Sequence, residues 1–180
     1  PGVRANTFMN LQEDFKLALG ATSLRIESPI PGKPATIGIE VPNEIRGMVT
    51  LKELMLTLPN KKEKLYVPAG KAISGEPISI SITSMTHCLI SGATNSGKSV
   101  CANSIICSLL LNYKPDELKM IMIDPKKVEM LFYTNLPHLL CPIITESSKA
   151  LVALDKLVKE MMHRFDTFAS LGVKNIASYN

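Results

Sequence analysis

Residues 85–100 read Met85-Thr86-His87-Cys88-Leu89-Ile90-Ser91-Gly92-Ala93-Thr94-Asn95-Ser96-Gly97-Lys98-Ser99-Val100. Two patterns meet in this stretch. Residues 87–91 are a short apolar run closed by a small residue, which predicts a buried strand. Residues 92–99 then fit Gly-x-x-x-x-Gly-Lys-Ser, the spacing of a phosphate-binding loop. Beyond the loop, Val100, Ala102, Ile105, Ile106 and Leu109 recur at helical spacing. Strand, glycine loop and helix follow one another in the order this chemistry requires.

The residue types explain why. Gly92 and Gly97 allow backbone conformations that a side chain forbids. The N–H groups of Gly92, Ala93, Thr94, Asn95, Ser96 and Gly97 can then converge on phosphate oxygens, with the positive end of a helix behind them. Lys98 is placed to reach β- and γ-phosphates as the catalytic cation, and the Ser99 hydroxyl to ligate Mg²⁺. The expected cofactors are therefore ATP and Mg²⁺. The competing reading is a glycine-rich turn that matches by accident. The strand before the loop and the helix after it argue against that.

A chain of 180 residues holds one ordinary domain, or a small domain plus part of another. An apolar fraction of 46% supports a packed core and excludes a disordered chain. No apolar run reaches the length of a membrane span, and no signal-peptide pattern is visible. The first residue is proline, so the chain is expected to be a fragment or a processed piece. A net charge of +4 is compatible with a polyanionic partner without identifying one. Cys88, Cys101, Cys107 and Cys141 form no Cys-x-x-Cys pair, which predicts buried reduced thiols instead of disulfides or a zinc site. His87, His138 and His163 lack metal-ligand spacing and read as core or surface residues.

Along the chain, Asn10 and Glu13 predict a capping box for a helix with Leu11, Phe15, Ala18 and Leu19 on one face and Gly20 as its stop. Leu24 and Ile26, then Ile37, Ile39 and Val41, alternate as half-buried strands do, joined by the proline-rich residues 29–34. Thr50 and Glu53 predict a second capping box, with Leu51, Leu54, Met55 and Leu58 on one face. Residues 1–60 thus read as a small α+β unit, and the polar residues 59–64 as its linker to a second domain, residues 61–180.

In that second domain, residues 65–67 and 78–82 predict strands that lead into the phosphate loop. Residues 118–123 predict a strand ending at Asp124-Pro125-Lys126. It is expected to lie parallel to residues 87–91 in one sheet, with the helix after the loop as crossover. Ile143 and Ile144 begin a further short strand. A long helix is expected from Ser147 to Leu171, stopped by Gly172. Leu151, Leu154, Val158, Met161, Met162, Phe165 and Phe168 read as its core face. Residues 120–124 have the four-apolar-plus-acid form of a Walker B strand, whose aspartate holds Mg²⁺. Against this, Pro125 follows directly and the nearest later acid is Glu129. Spacing alone leaves Asp124 open between a Mg²⁺ contact and a structural or relay role.

Taken together, these residues resemble the FtsK/SpoIIIE family of DNA translocases, over nearly the whole chain. The likeness runs through Pro1-Gly2-Val3, Pro31-Gly32-Lys33-Pro34, Gly75-Glu76-Pro77 and the loop with Thr94 and Ser96. It continues through Ile121-Met122-Ile123-Asp124-Pro125-Lys126, Pro137-His138-Leu139-Leu140 and Leu171-Gly172-Val173-Lys174-Asn175. The loop alone fits many ATPases. The Asp-Pro-Lys and Gly-Val-Lys-Asn segments are far more specific.

The resemblance implies an α/β fold: a partial RecA-like P-loop NTPase sheet preceded by part of a small α+β domain. It implies ATP-driven movement along double-stranded DNA by a homo-hexamer, in chromosome segregation at division or sporulation. The complete protein would lie on the cytoplasmic side of the cell membrane, held by membrane segments absent from this chain. The resemblance also places the family's Walker B segment beyond Asn180, so that Asp124 matches the Asp-Pro-Lys motif and, with Lys126, becomes a candidate nucleotide sensor. This chain alone is accordingly expected to bind nucleotide without turning it over. Two other readings stand beside this one. One is another RecA-like or conjugation-type ATPase acting on a protein or single-stranded DNA. The other is a nucleotide-binding module that does not hydrolyse.

Overall fold

The computed structural model describes residues 4–45, 47–60 and 64–179. The chain forms two compact units, Pro1–Val49 and Thr50–Asn180.

The first unit opens with helices α1 (Ala5–Asn10) and α2 (Gln12–Ala18). The helix expected to begin at an Asn10 cap begins earlier. Asn10 closes α1, and Leu11 stands between the helices with no side-chain cap. A capping residue needs extended backbone, and Asn10 is already helical. Gly20 stops α2 as expected. At φ +59° it lets its own N–H donate to Leu17 O and that of Ala21 donate to Lys16 O, closing the last carbonyls. Strands β1 (Arg25–Glu27) and β2 (Gly38–Glu40) pair antiparallel, Ile26 opposite Ile39. Gln12 Nε2 donates to Leu24 O at 2.8 Å, tying α2 to the start of β1, and Leu24 is buried. The two strands form a sheet of their own.

The second unit begins at α3 (Leu51–Met55), with Thr50 Oγ1 accepting from Glu53 N at 3.3 Å. Only this half of the expected capping box forms. The Glu53 carboxylate pairs instead with Lys71 of β3 (Tyr66–Lys71). That tie, and the burial of Leu54, put α3 with the second unit. The boundary therefore falls between Val49 and Thr50, earlier than residue 60. Residues 61–63 of the expected linker lie outside the described residues.

Strand β3 pairs antiparallel with β4 (Pro77–Ser81), with a register shift between Pro68 and Gly70. Behind this hairpin lies α4 (Lys98–Asn112). Val67, Leu109 and Tyr113 form the buried core, with Leu65, Ile80, Ile82, Ile105, Leu118 and Met120 packed around them. Each large apolar side chain so buried contributes roughly 1.5–3 kcal/mol. This core anchors the far end of α4 and so fixes the direction in which the helix presents its start.

Residues 120–124 run parallel to residues 138–144. Met120 N donates to His138 O and Leu140 N to Met120 O; Ile144 N donates to Met122 O and Asp124 N to Ile144 O. Among the described residues only isolated bridges, Met120 to Leu139 and Ile123 to Ile144, join the two runs, so the strands expected at residues 118–123 and at Ile143 and Ile144 do not form in full. His138 is buried and donates from Nε2 to Tyr113 O at 2.8 Å, locking the end of α4 to this ladder.

Residues 87–91 correct the expectation of a common sheet. They make no strand pair among the described residues, and Leu89 is 90% exposed. An apolar run becomes a buried strand only where neighbours cover both of its edges, and none does here. The thiols differ too: Cys88 and Cys101 are exposed, Cys107 and Cys141 half-buried, and all four are free.

Helix α5 (Ser147–Leu171) has the expected limits, and Gly172 ends it at φ +67°. Its expected core face is not a core face. Met161, Met162 and Phe165 stay exposed, and α5 contains no buried residue. A short α6 (Ile176–Tyr179) follows, with Tyr179 against Phe168 at 5.5 Å between ring centres. Among the described residues no helix is long and apolar enough to cross a membrane.

Candidate functional site

The turn between residues 91 and 98 has the backbone its glycines predict. Ser96 N donates to Ala93 O at 3.1 Å, Asn95 stands at φ +64° and Gly97 at φ +89°. Gly97 precedes α4 in a left-handed conformation that costs a side-chain-bearing residue about 1–2 kcal/mol. At Gly92 the constraint is spatial. A Cβ there would lie 2.2 Å from Ser96 Oγ and 3.2 Å from Ser96 Cβ, so a side chain at this position would force Ser96 to turn away.

Helix α4 begins at Lys98, and Cys101 N donates to Gly97 O at 2.8 Å. No side chain caps this end. The first amides of α4 therefore stay available, at the positive end of the helix dipole, to an anion. Residues 92–98 are exposed and Ser99 is half-buried. Gly92, Ala93, Thr94, Asn95, Ser96, Gly97, Lys98 and Ser99 thus form one solvent-facing turn at a helix start. The uncapped amides at this helix start suit a polyphosphate.

Asp124 does not join that turn. It is buried, and both oxygens are taken by its own loop. Oδ1 accepts from the N–H groups of Lys126 and Lys127, each at 3.1 Å. Oδ2 accepts from Val128 and Glu129 at 3.0 Å and from Met130 at 3.1 Å. The Met130 amide foremost, then those of Glu129, Lys126 and Val128, hold the carboxyl below its ordinary 3.8, against an opposing push from burial. All five partners belong to its own loop, the arrangement a structural role requires. Lys126 is exposed beside it.

One connection was not visible in the sequence. After the Asp124 loop comes a 3-10 turn, Leu131–Tyr133. Tyr133 Oη donates to Asn103 Oδ1 on α4 at 3.0 Å and lies 3.8 Å from Cys107 Sγ. Burial, then the neighbouring Cys107 thiol, push the Tyr133 hydroxyl up to about 12, so it keeps its proton as a donor. Asn103 follows Ser99 by four residues, which puts both on one face of α4. That spacing was the available signal. Its partner, Tyr133, lies 30 residues away.

A cavity of about 750 Å³ lies elsewhere, between α5 and residues 140–145, with Ile121, Ile143, Val152 and Leu157 among its walls. It is a groove under the apolar side of α5 and contains none of the loop residues.

Comparison with known proteins agrees with this arrangement. The model of the FtsK/SpoIIIE family matches residues 53–180, and that of the FtsK alpha domain matches residues 1–43. Proteins named DNA translocase FtsK are similar along 99% of the chain. That of Oceanobacillus iheyensis is 51% identical, and those of Staphylococcus epidermidis and Halalkalibacterium halodurans are each 50% identical. The chain spans 22–23% of the length of these relatives. With a family match over most of its residues and half of its positions shared with such proteins, the chain belongs to the FtsK/SpoIIIE family.

Proposed function

We propose that this chain is the ATP-binding part of a motor that moves double-stranded DNA. The observation that carries the reading is the turn at residues 92–99. It opens into an uncapped helix, in a chain about half identical to proteins named DNA translocase. In this reading residues 92–97 cradle the phosphates with backbone N–H groups, Lys98 offsets β/γ-phosphate charge, and Ser99 ligates Mg²⁺. Residues 50–180 are the first part of a RecA-like domain, and residues 1–49 the last part of a small α+β domain. The complete protein works as a homo-hexamer around DNA, on the cytoplasmic side of the cell membrane, in chromosome segregation at division or sporulation.

The test is Lys98→Ala in the complete protein. Removing a cation aimed at the transferred phosphoryl group is expected to lower DNA-stimulated ATP hydrolysis and translocation by about 10²-fold or more. Translocation at the wild-type rate would sink the assignment of this loop to the motor.

A further inference from the structure

We propose that Tyr133 is a positioning residue, whose bond to Asn103 links the phosphate-loop helix to the segment 124–133 and makes that segment respond to nucleotide. The inference rests on the nucleotide reading above. Three observations carry it. First, the segment is a closed unit: five backbone N–H groups from residues 126–130 converge on the Asp124 carboxylate, and Lys127 takes φ +59° to allow it. Second, this unit is fastened at two places, to residue 144 through Asp124 N and to α4 through Tyr133 Oη. Third, the fastening on α4 is one turn beyond Ser99 and on the same face, roughly 6 Å along the axis.

A small shift of the first turn of α4 on binding a polyphosphate therefore acts on Asn103 and, through its bond to Tyr133, on the closed loop. The outer side of that loop is solvent-facing: Lys126, Lys127, Val128 and Leu131 are exposed, and Phe132 is 90% exposed. The link joins the start of α4 to a surface that another molecule can reach. A purely structural tyrosine would hold the loop equally with and without nucleotide.

The experiment measures hydrogen exchange of the amides of residues 126–130 in the complete protein, with and without ATPγS and Mg²⁺, beside a titration of ATPγS binding. In the wild type the analogue is expected to slow this exchange about fivefold or more. Tyr133→Phe, which keeps the ring, and Asn103→Ala are expected to abolish the slowing. Asn103→Asp, which keeps an accepting oxygen, is expected to preserve it. Bound analogue with no slowing in the wild type overturns the proposal, as does full slowing in Tyr133→Phe and Asn103→Ala. Failure of the wild type to bind the analogue overturns the nucleotide reading and this inference with it.

Discussion

At Asp124 one carboxylate organises five backbone amides. Its amide partners favour the charged form, so its pKa in the fold lies below the ordinary 3.8. A group with a lowered folded pKa stabilises fully above its unfolded value, and that contribution is lost as pH falls through the folded one. Protection of the amides of residues 126–130, corrected for intrinsic exchange, should therefore stay flat from neutral pH down to about 4 and collapse only below it. Glu146 and Glu160, lowered by hydrogen bonds from Lys149 and Arg164, add losses in the same direction below the ordinary 4.5. Asp124→Asn turns one accepting oxygen into a donor facing other donors. Exchange of these amides should speed up roughly tenfold or more at pH 7. Loop protection unchanged in Asp124→Asn would remove the carboxylate from its organising role. The sequence left this residue ambiguous for a physical reason. Its partners are backbone amides that converge only if Lys127 takes a left-handed conformation, which nothing about a lysine announces.

Among the elements, those set by local rules match their sequence signals. Gly20 and Gly172 stop their helices, Thr50 caps α3, and the phosphate-loop pattern places the start of α4 at Lys98. Gly172 makes the point measurable. A Cβ there meets nothing within 4 Å, so Gly172→Ala carries only the strain of φ +67°. It should cost about 1 kcal/mol in denaturation, with Gly172→Asn costing less. A neutral alanine would show that α5 does not end in this conformation. Elements that depend on distant partners were less legible. Residues 87–91 have the composition of a buried strand and, among the described residues, no strand paired with them. The apolar face of α5 has a helical period but stays open to solvent. Composition reports what a segment needs to bury, and not whether a surface is there to bury it against.

For the molecule as a whole, the decisive fact is that its two units have separate sheets and separate buried residues. Leu24 belongs to one, and Val67 and Leu109 to the other. Leu24→Ala should therefore raise hydrogen exchange in residues 5–41 and leave that of α4 and β3 within experimental error. An equal rise in α4 would show that the two units unfold as one. The apolar run at residues 87–91 has a different consequence at this scale. It belongs to no sheet among the described residues, and Leu89 is exposed. Such a run is a template for its own kind: two copies of the chain can add to each other strand by strand, as fibres grow. Residues 87–91 thus make the chain prone to self-recruitment. A lysine at position 89 would act as a gatekeeper against it, without touching a glycine of the loop.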